Sequence, residues 1–171
     1  MKKTLFVLLT LFLINSEAIF SQSKKELKAQ ENLEKYKAMK SLVDSKKIAF
    51  SANVAYTQKG RRIDLSSYGN SLIIDGSKSE GDLPFFGVVQ IGAIGGDGGI
   101  VFLNEHTEYD IVYKDKKQVV IVKFSAKNKS ENFDFILTIK RSGYADLSVN
   151  SNFRNSMTYN GSVSALSTAT D

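Results

Sequence analysis

Few residues in this chain can do chemistry. It holds one histidine, His106, and neither cysteine nor tryptophan among 171 residues. A thiol nucleophile, a disulfide and a cysteine zinc site all need sulfur that is absent. A histidine-rich metal centre needs more than one imidazole, so no metal ligand set and no cofactor is expected. His106 stands in Glu105-His106-Thr107-Glu108, where neighbouring carboxylates can tune an imidazole as a general base. Such a base also needs a nucleophile and a third group to orient it, and no Gly-x-Ser-x-Gly elbow occurs. His106 therefore reads as an exposed turn residue at the start of a strand. Two carboxylates working as glycosidase acid and base are assembled in space and leave no spacing signature. A carboxylate-dependent hydrolase is kept as an alternative on that ground, although no tryptophan offers a platform for a sugar. No catalytic residue is assigned, and the chain is read as non-enzymatic.

Gly95-Gly96-Asp97-Gly98-Gly99 is followed by neither Lys-Ser nor Lys-Thr and opens no helix, so it is not a phosphate loop or a dinucleotide-binding turn. Asp97 lacks carboxylates at alternate positions and does not make a calcium loop. A hairpin tip is the expected role. The most distinctive string is Leu83-Pro84-Phe85-Phe86-Gly87. Pro84 fixes one backbone angle and extends Leu83, while Gly87 permits a bend. Phe85 and Phe86, with Tyr68, would line the mouth of an apolar cavity that takes a small apolar or amphiphilic ligand. The competing reading sends one phenylalanine into the core and the other to the barrel end, because neighbours on a strand face opposite sides. Arg154, between Asn152 and Tyr159, can hold a ligand carboxylate or phosphate in its planar fork. Equally, it can tie the last strand to backbone carbonyls or to a buried acid. Phe85, Phe86, Tyr68, Arg154 and Tyr159 are the candidate ligand-binding residues.

The elements that would position them begin with a leader. Lys2 and Lys3 precede an apolar run from Leu5 to Ile14, broken only by Thr10, and then Asn15-Ser16-Glu17. A basic start and an apolar stretch of roughly 7–15 residues mark a secretory signal peptide. Ten residues rise about 15 Å as a helix, half of a bilayer's hydrocarbon core, so no stable membrane span is expected after cleavage. Residues 1–21 are taken as the signal peptide, with cleavage after Ser21 favoured over Ala18. Without a cysteine there, a lipid anchor cannot be attached, and a periplasmic or extracellular location is expected.

Residues 22–46 read as an amphipathic helix. Ser23-Lys24-Lys25-Glu26 fits a capping box, and Ala29, Leu33, Tyr36, Met39 and Val43 recur at helical spacing with Leu42 widening the stripe. Glu31 and Lys35 suit an i,i+4 pair. Residues 23–47 carry eight lysines and four acids, whereas from Ile48 onward there are thirteen basic and thirteen acidic residues. The basic isoelectric point of about 9.3 thus belongs to the helix. A neutral body and a helix poor in aromatics disfavour nucleic acid as a partner.

From residue 47 to 166 the dominant period is two. Ile48, Phe50, Ala52, Val54 and Tyr56 alternate with polar or small residues; Asp75-Gly76 is a strong turn dipeptide; Phe133, Phe135, Leu137 and Ile139 alternate again. A strand is also expected over Phe85–Ala93, and a last one over Ser156–Ala165. Such sequential hairpins give a mainly β domain, an antiparallel up-and-down (lipocalin-like) barrel of about nine strands, with a β-sandwich as the alternative. Closure would remove exposed edges. Residues 167–171 form a polar tail.

Several of these strings occur together in one family. Gly81-Asp82-Leu83-Pro84-Phe85-Phe86-Gly87, then Gly95-Gly96-x-x-Gly99-Ile100-x-Phe102, then Gly143-x-Ala145-x-Leu147-x-Val149-x-Ser151-x-x-Arg154 with Tyr159-x-Gly161, follow a Phe50-x-Ala52 strand. Over about residues 30–164 the chain resembles the bacterial secreted family catalogued as domain-of-unknown-function family 4251. Family members often carry Tyr at Phe85 and Pro near Ala55. The resemblance implies the β fold and export and supplies no reaction. The expected role is a small-ligand binder at one barrel end or, alternatively, a cell-envelope interaction module. An open cavity lined by Phe85, Phe86 or Tyr68 would favour the first, a filled barrel the second.

Overall fold

The computed structural model describes residues 24–89, 98–128 and 131–167. The expected signal peptide, Ser23 of the capping box, Gly95–Asp97 and most of the polar tail lie outside these residues. One helix, α1, spans residues 24–44. The chain divides into two units between Lys35 and Tyr36. In the first, Lys35 pairs with Glu31 one turn earlier at 2.6 Å. Among the described residues no helix is long and apolar enough to cross a membrane.

In the second unit, ten strands form one antiparallel sheet: β1 (Lys47–Thr57), β2 (Arg62–Asp64), β3 (Ser71–Asp75), β4 (Lys78–Leu83), β5 (Ile100–His106), β6 (Asp110–Lys114), β7 (Val119–Asn128), β8 (Glu131–Lys140), β9 (Tyr144–Ser151) and β10 (Met157–Ala165). The order is β5-β4-β3-β1-β10-β9-β8-β7-β6, with β2 on β1. A single continuous sheet excludes the sandwich. Period-two burial follows the sequence: Phe133, Phe135, Leu137 and Ile139 of β8 are buried, and their neighbours, apart from Thr138, are exposed. Tyr36, Met39 and Val43 of α1 add to the same core.

The sheet is a curled half-barrel, and its opening does not fall between the chain ends. First and last strands pair along their length, from Ile48 with Ala165 to Thr57 with Met157. The break falls between β5 and β6, consecutive strands with only Thr107-Glu108-Tyr109 between them. Side chains close this seam instead of a ladder. Asn128 at the end of β7 donates to the Val101 carbonyl of β5 at 2.6 Å, and the Tyr109 hydroxyl donates to the Lys78 carbonyl at 2.9 Å. Phe102, Phe135, Phe124 and Tyr109 form a run of ring contacts beneath it, Phe124 and Phe135 stacked 4.7 Å apart.

The strand expected over Phe85–Ala93 is corrected as far as Val89, since residues 90–93 lie outside the described ones, and an unexpected strand precedes it. Residues 84–88 are not a strand, and Val89 forms only an isolated bridge to Arg154; proline has no N–H for a ladder and Gly87 adds no side chain to pack. In their place β4 runs through Lys-Ser-Glu-Gly-Asp-Leu. Its inward positions are Ser79, Gly81 and Leu83, and the Phe102 ring lies directly over Gly81. The strand's apolar half is thus supplied by the neighbour opposite.

Candidate functional site

All five candidate residues meet one segment, the strap 83–89 that leaves β4. Tyr159 is fully buried on β10, and its hydroxyl donates to the Pro84 carbonyl at 2.9 Å. Burial pushes its phenol well above the usual pKa, opposed by the nearby Arg154 charge. Arg154 lies 5.1 Å from the Phe85 ring centroid. Phe86 meets Tyr68 edge to face at 5.4 Å. Asn155 N donates to the Val88 carbonyl at 3.0 Å. The strap is fastened along its length.

Arg154 is bonded within the protein through Nε and Nη1. Nε donates to Glu131 Oε1 at 2.8 Å, and Nη1 donates to the carbonyls of Gly99 at 2.8 Å and Gly98 at 3.4 Å. Ser151 donates to the same Glu131 oxygen. Both charged side chains are nine-tenths buried, at 7% and 9% exposure. The bonds of Arg154 run to a buried acid and to backbone carbonyls, which is the tying geometry. Tyr68 is half exposed. His106 ends β5 instead of starting a strand, and is exposed.

The interior of the sheet is filled. Phe50, Phe133, Phe135 and Tyr159 are among the largest fully buried side chains, and they take the space in which a barrel ligand would sit. Larger concavities lie outside, along the seam. One, of about 750 Å³, is lined by Glu108, Tyr109, Asp110, Lys123, Phe124 and Asp134 among others. The next, of about 640 Å³, includes Glu105, His106, Lys127 and Asn132 and shares Ser125 and Asp134 with the first. The two form one groove whose apolar floor is the half-buried Tyr109 and the exposed Ile136, with four carboxylates against two lysines on its rim. One of those lysines, Lys123, already holds Asp110 at 3.3 Å. Burial raises the Tyr109 phenol above its usual pKa. Sequence reasoning passed over this groove, because its residues come from β5 to β9 and become neighbours only through the break at β5 and β6. Among the described residues no group of three or more acidic or histidine side chains is placed to hold a metal ion.

No curated protein matches the chain. A solved structure does: the crystal structure of a DUF4251 family protein from Bacteroides eggerthii DSM 20697. It is 18% identical, with a TM-score of 0.59, covering 80% of this chain and 91% of that one. At that identity the likeness speaks for the fold. The model of the family described as "Domain of unknown function (DUF4251)" matches residues 30–163, which takes in α1 from its second turn, the strap, the seam and β1 to β9 entire; the chain belongs to the DUF4251 family.

Proposed function

We propose that this protein is an exported, non-enzymatic interaction module that holds an extended, basic segment of a cell-envelope protein in the groove along the seam. The observation that carries the reading is the contrast between a packed interior and an open groove outside it. A barrel-end ligand has no room where Phe50, Phe133 and Tyr159 pack, and Arg154, the anion holder it would use, is bound to Glu131. The groove offers what an extended chain needs: an apolar floor, and a rim whose excess of carboxylates complements lysine or arginine. Export rests on the basic and apolar pattern of residues 1–21.

The test uses two synthetic peptides, one alternating lysine with apolar residues and one alternating glutamate with the same residues. The lysine peptide is expected to bind and to shift the amide resonances of Glu105, His106 and Lys123–Lys127. The glutamate peptide is expected not to bind, and Glu108→Lys with Asp134→Lys should reverse the preference. Equal binding of the two peptides, or shifts confined to another surface, overturns the reading. Export has its own measurement: the N-terminus of protein recovered from outside the cytoplasm should be Gln22 or Ile19, and an intact Met1 would refute it.

A further inference from the structure

β1 turns back to β2 through a tight hairpin. Thr57 N donates to the Arg61 carbonyl at 3.0 Å, Gly60 N to the Thr57 carbonyl at 2.8 Å, and Arg61 N to Thr57 Oγ1 at 3.2 Å. The turn is closed by backbone and hydroxyl, which leaves the side chains of Lys59 and Arg61 exposed at its tip. Neither makes an ion pair with a described residue, whereas Arg62 beside them has Asp64 at 3.9 Å. Facing the hairpin is the strap, pinned independently by Tyr159 at Pro84 and by Asn155 at Val88.

Between the two walls lies a cleft of about 180 Å³, lined by Thr57, Lys59, Arg61, Phe86, Val88 and Asn155 among others. That is about six times the volume of a water molecule in the liquid. One side is apolar, with Val88 57% exposed to it and to solvent. The other carries two cations, and no carboxylate lines the cleft. Both walls are held by hydrogen bonds of their own, so the space is preformed and a ligand need not order it. The site lies outside the sheet and is separate from the seam groove.

We propose that this cleft binds a small organic anion, a carboxylate on a short apolar body, with the carboxylate at Arg61 and Lys59 and the body against Phe86 and Val88. Arginine suits the planar carboxylate through paired N–H donors, and the apolar wall excludes water behind it. The size admits one short chain and excludes a two-chain lipid.

The experiment titrates the full chain with hexanoate, hexanol and hexylamine and follows amide resonances. Hexanoate should bind saturably, with a dissociation constant on the order of a millimolar for so small a ligand, shifting Thr57–Arg61 and Phe86–Val88. Hexylamine should not bind there. Arg61→Gln, at an exposed turn position that does not threaten the fold, should weaken hexanoate about tenfold. Val88→Glu, also exposed, should abolish binding by placing a carboxylate at the rim. The proposal is overturned if hexylamine binds as well as hexanoate, if Arg61→Gln leaves the affinity within about twofold, or if the shifts lie elsewhere.

Discussion

Two charged residues, Arg154 and Glu131, lie buried in the second unit. They are taken out of water together, with Ser151 donating to the carboxylate and the carbonyls of Gly98 and Gly99 accepting from the guanidinium. A buried pair of this kind contributes little net stability compared with apolar residues of the same volume. Removing one partner is costly, because the other charge is left buried and alone. Glu131→Gln is therefore expected to cost about 3–5 kcal/mol, read from urea denaturation, and Glu131→Leu with Arg154→Met should recover most of it. A single-variant loss below about 1 kcal/mol would instead mark the pair as an exposed one. The double variant should bind hexanoate and the lysine peptide as the parent does. Arg154 was legible in the sequence as a fixed cation with two possible roles. Its acid lies 23 positions away on β8, and no local pattern links the two.

At the scale of elements, the pairing of first and last strands is the critical joint. β1 and β10 change register between Ala52 and Val54, so Asn53 is an extra residue and the strand bends there. Gly161 sits opposite Ala52 at that bulge. A methyl group added to it would overlap the Ser51 carbonyl oxygen and lie 2.7 Å from the Ala52 Cα, both backbone atoms that cannot turn away. Gly161→Ala is expected to destabilise by about 3 kcal/mol. Gly69→Ala, which meets nothing within 4 Å, should stay within about 0.5 kcal/mol. Thermal or urea unfolding of the two side by side is the check, and equal effects would remove the close approach as the cause. Strands with strong alternation, β1 and β8 above all, were readable from the residues. β4 was not, because Ser79 and Gly81 carry its buried face and the apolar mass over them belongs to Phe102.

For the whole second unit, two phenols join the end of α1 to the seam side of the sheet. Tyr36 donates to Asp115 at 3.0 Å, and Tyr113 donates to Asp44. Burial first, and the carboxylate partner second, push both phenols up to about 12 from an ordinary 10.0. The sign follows from proton binding. The folded state keeps protons that the unfolded chain releases, so this stability is complete below about pH 10 and is lost as pH rises through about 12. The urea midpoint should hold steady up to about pH 10 and fall above it. Tyr36→Phe with Tyr113→Phe should make that fall shallower. An unchanged slope would show that the two phenols ionise alike in the folded and unfolded chain. Tyr159, also raised, should keep part of the slope in the variant.

Period-two wetting, Asp75-Gly76 and the three- and four-residue stripe of α1 were enough to determine a helix followed by an antiparallel sheet. Each is a local property, because burial on one face must repeat with the pitch of the element that carries it. The same alternation says which face of a strand is dry and nothing about which strand lies beside it. Where the half-barrel opens was decided only in three dimensions, by the long pairing of β1 with β10 and the missing ladder between β5 and β6. That choice fills the interior, places the acidic groove along the seam and commits Arg154 to Glu131, since all three depend on contacts between residues far apart in the chain.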